Sequence, residues 1–79
     1  MKVTVKYFGA LAEQTGTMEE VVDLAQIGME LADLKSHCIR KYGLKDDGSM
    51  QIAINQQLGL QRSLENGDEI AFLPPFAGG

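Results

Sequence analysis

One segment of this chain repeats its apolar residues at helical spacing, and segments of period two flank it on both sides. In residues 29–42, Leu31, Leu34, Cys38 and Tyr42 recur at intervals of three and four, giving one apolar stripe. Before it, KVTVKYF at 2–8 alternates: Val3, Val5 and Tyr7 share one face, and Lys2, Thr4 and Lys6 the other. A single amphipathic helix cannot bury its stripe alone. It needs a sheet, and the alternating segments supply one, so the pattern predicts an α+β domain.

The remaining elements follow from turn chemistry. Phe8 breaks the first alternation, so the strand ends or bulges there. ALAEQT at 10–15 forms one or two helical turns, closed by Gly16. EEVVDL at 19–24 is a second strand, and the short connection makes it an antiparallel neighbour of the first. Gly28 serves as N-cap of the main helix and Gly43 as its left-handed C-terminal stop. MQIAIN at 50–55 is a third strand, Asn55, Gln56 and Gln57 make a turn, and a short strand follows around 58–61. ENGD at 65–68 is a strong turn signal, and EIAFL at 69–73 is the last strand. Pro74 and Pro75 end it, because neither can donate to a ladder. The order is ββαβ(β)β; by fold-level analogy with the β-grasp arrangement, and not from periodicity, the last strand is expected beside the first in the middle of the sheet.

Length and charge narrow the functional classes. With 79 residues the chain holds one domain, too small for a deep substrate cleft of its own. That favours a carrier, adaptor or subunit. The net charge of −4 disfavours nucleic acid and suits a basic partner protein. The opening residues are no signal peptide and no apolar run could span a membrane, so a cytoplasmic protein that binds no membrane is expected.

Candidate chemistry inside the domain is sparse. Cys38 is the single cysteine and His37 the single histidine. Adjacent helical residues point about 100° apart, so they make no catalytic pair, and no zinc site can be assembled. Cys38 is read as core and His37 as helix surface. The acidic pairs Glu19-Glu20, Asp46-Asp47 and Asp68-Glu69 are read as solvated charges. No phosphate-cradling glycine motif and no nucleophile elbow is present.

The end of the chain is different. In FLPPFAGG, residues 72–79, the two prolines hold the chain extended and aim it away from the sheet. An extended segment from Pro75 to Gly79 reaches roughly 15 Å. Gly78 and Gly79 are thin enough to enter a channel closed to any other residue. The sequence therefore predicts a β-grasp domain at 1–75 and a flexible arm at 76–79, tipped by a carboxylate and able to enter a partner's active site.

NGDEIAFLPPFAGG at 66–79 closely resembles the end of the molybdopterin synthase small subunits. FGALAEQTG at 8–16 and IAINQQ at 52–57 extend the likeness over nearly the whole chain. The resemblance implies a ubiquitin-like β-grasp fold, a mixed sheet of four to five strands on one main helix, and a sulfur-carrier role. The carboxylate of Gly79 would be adenylated by an ATP-dependent, ubiquitin-activating-type enzyme. A sulfur donor protein would then convert it to a thiocarboxylate. Inside the synthase large subunit it would give its sulfur to cyclic pyranopterin monophosphate. The carrier itself would hold no permanent cofactor and no metal. Phe8, Leu58 and Leu73 map to an apolar docking patch, with Pro74, Pro75, Phe76 and Gly78 along the arm. From the residues alone, Phe8 and Leu73 read equally well as core. Two departures stand out: Ala12 where the family often has arginine, and Phe76 where it has valine. A carrier for thiamin or another thio-cofactor, a modifier attached to lysines, and an inert binding module remain alternatives.

Overall fold

The computed structural model describes residues 1–46 and 48–74. The first strand, β1, runs Lys2–Tyr7 and buries Val3, Val5 and Tyr7, as the alternation requires. A short helix, α1 (Ala10–Thr15), ends on Gly16 in the left-handed conformation. Strand β2 spans Glu19–Asp23 and pairs antiparallel with β1. Leu24, expected in the strand, instead opens a single 3-10 turn, Leu24–Gln26, because the Asp23 carboxylate accepts from the Ala25 N–H and turns the chain there.

The main helix, α2, is Leu31–Tyr42, with Leu34 and Cys38 fully buried and Leu31, Ile39 and Tyr42 packed at the edge of the core. Its N-cap is Glu30, not Gly28. The Asp33 carboxylate accepts from the Glu30 N–H at 3.3 Å, which satisfies one of the free donors at the helix start. Gly28, at φ 120°, matters for a different reason, since the Asp33 carboxylate occupies the space a Cβ there would fill. Gly43 ends the helix in the left-handed conformation, as expected.

Strands β3 (Gln51–Ile54) and β4 (Gln57–Leu58) form a hairpin. Its two-residue turn is Asn55-Gln56, both at positive φ, 49° and 69°. That geometry matches the twist of the flanking strands, so Gln57 already belongs to β4. Strand β5 is Glu69–Leu73.

The five strands lie in the order β2-β1-β5-β3-β4. β5 runs parallel to β1 and antiparallel to β3, which places the last strand in the middle. With α2 packed on one face, this is the β-grasp architecture. The core lies between that face and the helix. Tyr7 sits at its centre, edge-on to Phe72 at 5.6 Å and to Tyr42 at 5.7 Å between ring centroids. Leu34, Ile70 and Phe72 are wholly enclosed, and burial of such side chains stabilises by about 1.5–3 kcal/mol each. No helix among the described residues is long and apolar enough to cross a membrane.

Candidate functional site

The face of the sheet turned away from α2 carries the candidate site. Period two decides which residues reach it. Val5, Tyr7, Ile70, Phe72 and Ile54 point to the core, so Lys6, Ala71, Leu73 and Ala53 point to the open face. Leu58 pairs with Ala53 and shares that face. Phe8 continues the row of Lys6 one step past the end of β1. Its N–H donates to the Phe72 carbonyl at 3.2 Å, which sets it beside Leu73. Phe8 is 45% exposed and Leu58 is 55% exposed. Leu73 is half-buried. Phe8 and Leu73 are thus not core. Phe8, Leu73, Ala71, Ala53 and Leu58 form one apolar band across β1, β5, β3 and β4.

The centre of this band is made of small residues: Ala53 and Ala71, 5% and 8% exposed, lie low between the larger Phe8, Leu73 and Leu58. Lys6 and Glu69 border it and pair at 2.9 Å. That contact raises the Lys6 pKa, through the hydrogen bond first and the opposite charge second. Sequence reasoning missed Ala53 and Ala71 as members of the band, although alternation with Ile52, Ile54, Ile70 and Phe72 marks them.

Pro74 is the last described residue, and it is seated. Gly9 stands at φ 56°, and a Cβ there would lie 3.2 Å from the Pro74 ring. The β1–α1 connection therefore passes close over the exit of β5. The terminal readings on Pro75, Phe76, Gly78 and Gly79, together with the arm at 76–79, lie outside the described residues.

Two acidic groups read as solvated are not. Asp68 is 7% exposed. Its carboxylate accepts from Arg62 at 2.9 and 3.2 Å, from Asn55 Nδ2 at 2.9 Å and from the Glu65 N–H at 2.8 Å. The Arg62 guanidinium leads in holding its pKa down to about 2. Asn55 completes the clasp by accepting from the Glu69 N–H at 2.9 Å, so one cluster fixes the hairpin turn to the start of β5. Glu20 is the second. It lies opposite Val5 on the core side of β2 and accepts from Tyr7 at 2.7 Å, from Tyr42, and from Lys41 at 3.0 Å. Burial pushes its pKa up, but the bonds from Tyr42, Tyr7 and Lys41 outweigh it and the carboxyl stays below its usual range. Asp46 pairs with Lys35 at 3.0 Å, and Asp47 lies outside the described residues.

Cys38 is enclosed, with its sulfur 3.4 Å from the Tyr7 hydroxyl, and burial pushes its thiol pKa up. It is core, as expected. His37 is half-buried on the helix flank. No group of three or more His, Cys, Asp or Glu among the described residues could hold a metal ion.

A β-grasp domain with an apolar open face beside the exit of its central strand defines a class of small ubiquitin-like proteins. The model of the ThiS family matches residues 5–79, and the chain belongs to that family. It is 40% identical, over an 83-residue alignment, to the molybdopterin synthase sulfur carrier subunit of Mycobacterium tuberculosis, covering 100% of this chain and 99% of that protein. Among solved structures it is similar to the complex of subunits 1 and 2 of the molybdopterin-converting factor from Helicobacter pylori, at 32% identity and TM-score 0.70 with 100% of both chains covered. It is also similar to small archaeal modifier protein 1 of Methanosarcina acetivorans, at 31% identity and TM-score 0.78, covering 99% of this chain and 96% of that one.

Proposed function

We propose that this chain is the sulfur carrier of a molybdopterin synthase. The observation that carries the reading is the 40% identity to the Mycobacterium tuberculosis sulfur carrier subunit across 100% of this chain. The apolar band of Phe8, Leu73 and Leu58 supports it, because Leu73 ends β5 with Phe8 beside it, where the chain hands over to residues 74–79, and Leu58 extends the same face. A partner that docks on the band receives the terminal segment.

The chemistry is that of an activated carboxylate. At pH 7 a terminal carboxyl, with an ordinary pKa of about 3.5, is ionised and resists nucleophiles. An ATP-dependent adenylyltransferase joins the Gly79 carboxylate to AMP and releases pyrophosphate. A persulfide sulfur on a donor protein then attacks the acyl carbon, and AMP leaves with the bonding electron pair; a second thiol cleaves the S–S bond of the resulting acyl disulfide, forms a disulfide with the donor's own sulfur and frees the thiocarboxylate. The resulting thiocarboxylate enters the synthase large subunit, which supplies the pocket for cyclic pyranopterin monophosphate. This chain supplies sulfur, position and nothing else. Reconstitution with a large subunit and an activating enzyme tests the reading. Full-length chain supports molybdopterin formation and a chain lacking Gly79 does not. Equal activity of the shortened chain would sink the proposal.

The likeness to small archaeal modifier protein 1 favours a second reading. The same activated Gly79 would form isopeptide bonds with lysine amines of other proteins. Lysine-linked conjugates of higher mass are its signature.

A further inference from the structure

The opposite end of the sheet from Leu58 carries a second surface. β2 is an outer strand, so one side of its backbone is unpaired among the described residues. Two flanking bonds fix which groups turn outward. The Tyr7 N–H donates to the Met18 carbonyl and the Leu24 N–H to the Met1 carbonyl, both at 2.9 Å. In an antiparallel pair hydrogen-bonded positions alternate, so residues 18, 20, 22 and 24 face β1, and 19, 21 and 23 face out. The Thr17 hydroxyl already donates to the Glu19 carbonyl at 2.9 Å, and Asp23 leads into the 3-10 turn. Val21 is left with both its N–H and its C=O turned outward.

The two flanks of this edge differ. Toward α2, β2 borders an open cavity of about 330 Å³ walled by Glu20, Val22, Ile27, His37 and Lys41, with the edge residues Val21 and Asp23 at its rim. On the open face Val21 is 67% exposed. Glu19 and Asp23 stand two residues to either side of it, on the same face.

We propose that this edge accepts an added β-strand from a partner segment with the alternation basic–x–aliphatic–x–basic. Main-chain bonds to Val21 would anchor the segment, and the intervening side chains would enter the cavity. The charges select the occupant. Basic residues two positions either side of the centre meet Glu19 and Asp23, and opposite-charge cross-strand pairs are favourable. A second copy of β2 is disfavoured, because antiparallel pairing about Val21 sets Glu19 against Asp23 of the copy. The inner side of the same strand shows the matching chemistry: β1 presents Lys2 to Asp23, Thr4 to Val21 and Lys6 to Glu19. Lys6 is drawn to Glu69 at 2.9 Å, which turns its charge away from Glu19, and Asp23, although 3.9 Å from the N-terminal amine, stays 56% exposed, so Glu19 is the stronger of the two attractors. Three strands separate this edge from β4, so the segment can bind while Leu58 is engaged.

The test is a titration of the ¹⁵N-labelled full chain with the peptide acetyl-Lys-Thr-Val-Thr-Lys-amide at low salt. Amide shifts confined to residues 18–24 and 37–41 are expected, weakening in about 0.5 M salt. Val21→Pro removes an outward N–H without removing a ladder bond, and is expected to cut affinity at least about fivefold. Glu19→Lys is expected to weaken binding of the basic peptide, because one of its lysines then faces a lysine. The proposal is overturned by shifts centred on Phe8, Leu58 and Leu73, by unchanged affinity in both variants, or by no shift at about 2 mM peptide. Concentration-dependent shifts of β2 without peptide overturn it in favour of self-pairing.

Discussion

Gly9 and Pro74 are 65 residues apart in sequence and close in space: a Cβ on Gly9 would stand 3.2 Å from Pro74 Cγ. The loop after β1 and the first residue after β5 thus leave each other no room for a side chain at position 9. Gly9 also holds φ 56° and ψ −133°, a conformation that side chains disfavour. Gly9→Ala therefore meets two obstacles at once, backbone strain and the Pro74 ring. Each strained backbone position of this kind costs about 1–3 kcal/mol. A thermal melt is expected to shift down by several degrees. Adding Pro74→Ala, which removes the opposing ring atoms, is expected to return part of the loss. A double variant no more stable than Gly9→Ala alone would show that the ring contact is immaterial.

Leu58 is exposed and lies outside the core. Leu58→Lys is expected to change stability by under about 0.5 kcal/mol, as surface substitutions do. Placed in an apolar interface, the same charge is expected to weaken binding of the synthase large subunit by at least about tenfold. Calorimetric titration of the two proteins separates these effects. A variant that melts normally and binds normally removes Leu58 from the interface.

Asp68 gives the fold an acid sensitivity. Its carboxyl, held at about 2 by Arg62, the Glu65 N–H and Asn55, titrates lower in the folded chain than in the unfolded one, where the ordinary value is 3.8. Its contribution is complete above the unfolded value and is lost as pH falls from about 4 through 2. Asp68→Asn keeps the shape but loses the charge that Arg62 needs. It is expected to destabilise by on the order of 2 kcal/mol at pH 7 and to flatten the stability curve between pH 4 and 2. Denaturant unfolding across that range is the measurement, and equal slopes for both proteins would contradict the assignment.

Cys38 is enclosed and its thiol is held in the protonated form by burial. At pH 8 a maleimide is expected to label the folded chain slowly and the denatured chain rapidly. Fast labelling of the folded chain would place the thiol outside the core.

The elements of this fold were legible where periodicity is clean. KVTVKY alternates, Leu31, Leu34, Cys38 and Tyr42 form one stripe, and EIAFL ends on prolines, so β1 and β5 stand where the pattern set them and α2 does so from Leu31, two residues later than the expected start at 29. Asp68 was not legible. Its partners, Arg62 and Asn55, lie six and thirteen residues away, and only the close approach of the hairpin turn to β5 brings them together. Glu20 left a usable trace. It alternates with Val22, so a carboxylate on the core face was already implied. Gly28 misled because a glycine before a helix suits a cap, whereas Glu30 and Asp33 take that role. The open-face band was visible at Phe8, Leu58 and Leu73 through resemblance, but its floor of Ala53 and Ala71 emerges only from the register of β3 against β5.

The proposed sulfur-carrier role turns on conversion of Gly79 to a thiocarboxylate. Intact mass spectrometry of the chain, after incubation with an activating enzyme, ATP and a sulfur donor protein, measures this directly. A gain of about 16 Da, oxygen replaced by sulfur, is expected; it requires ATP and vanishes when Gly79 is deleted. An unchanged mass under conditions that load a known carrier, or conversion only to lysine-linked conjugates, would contradict it.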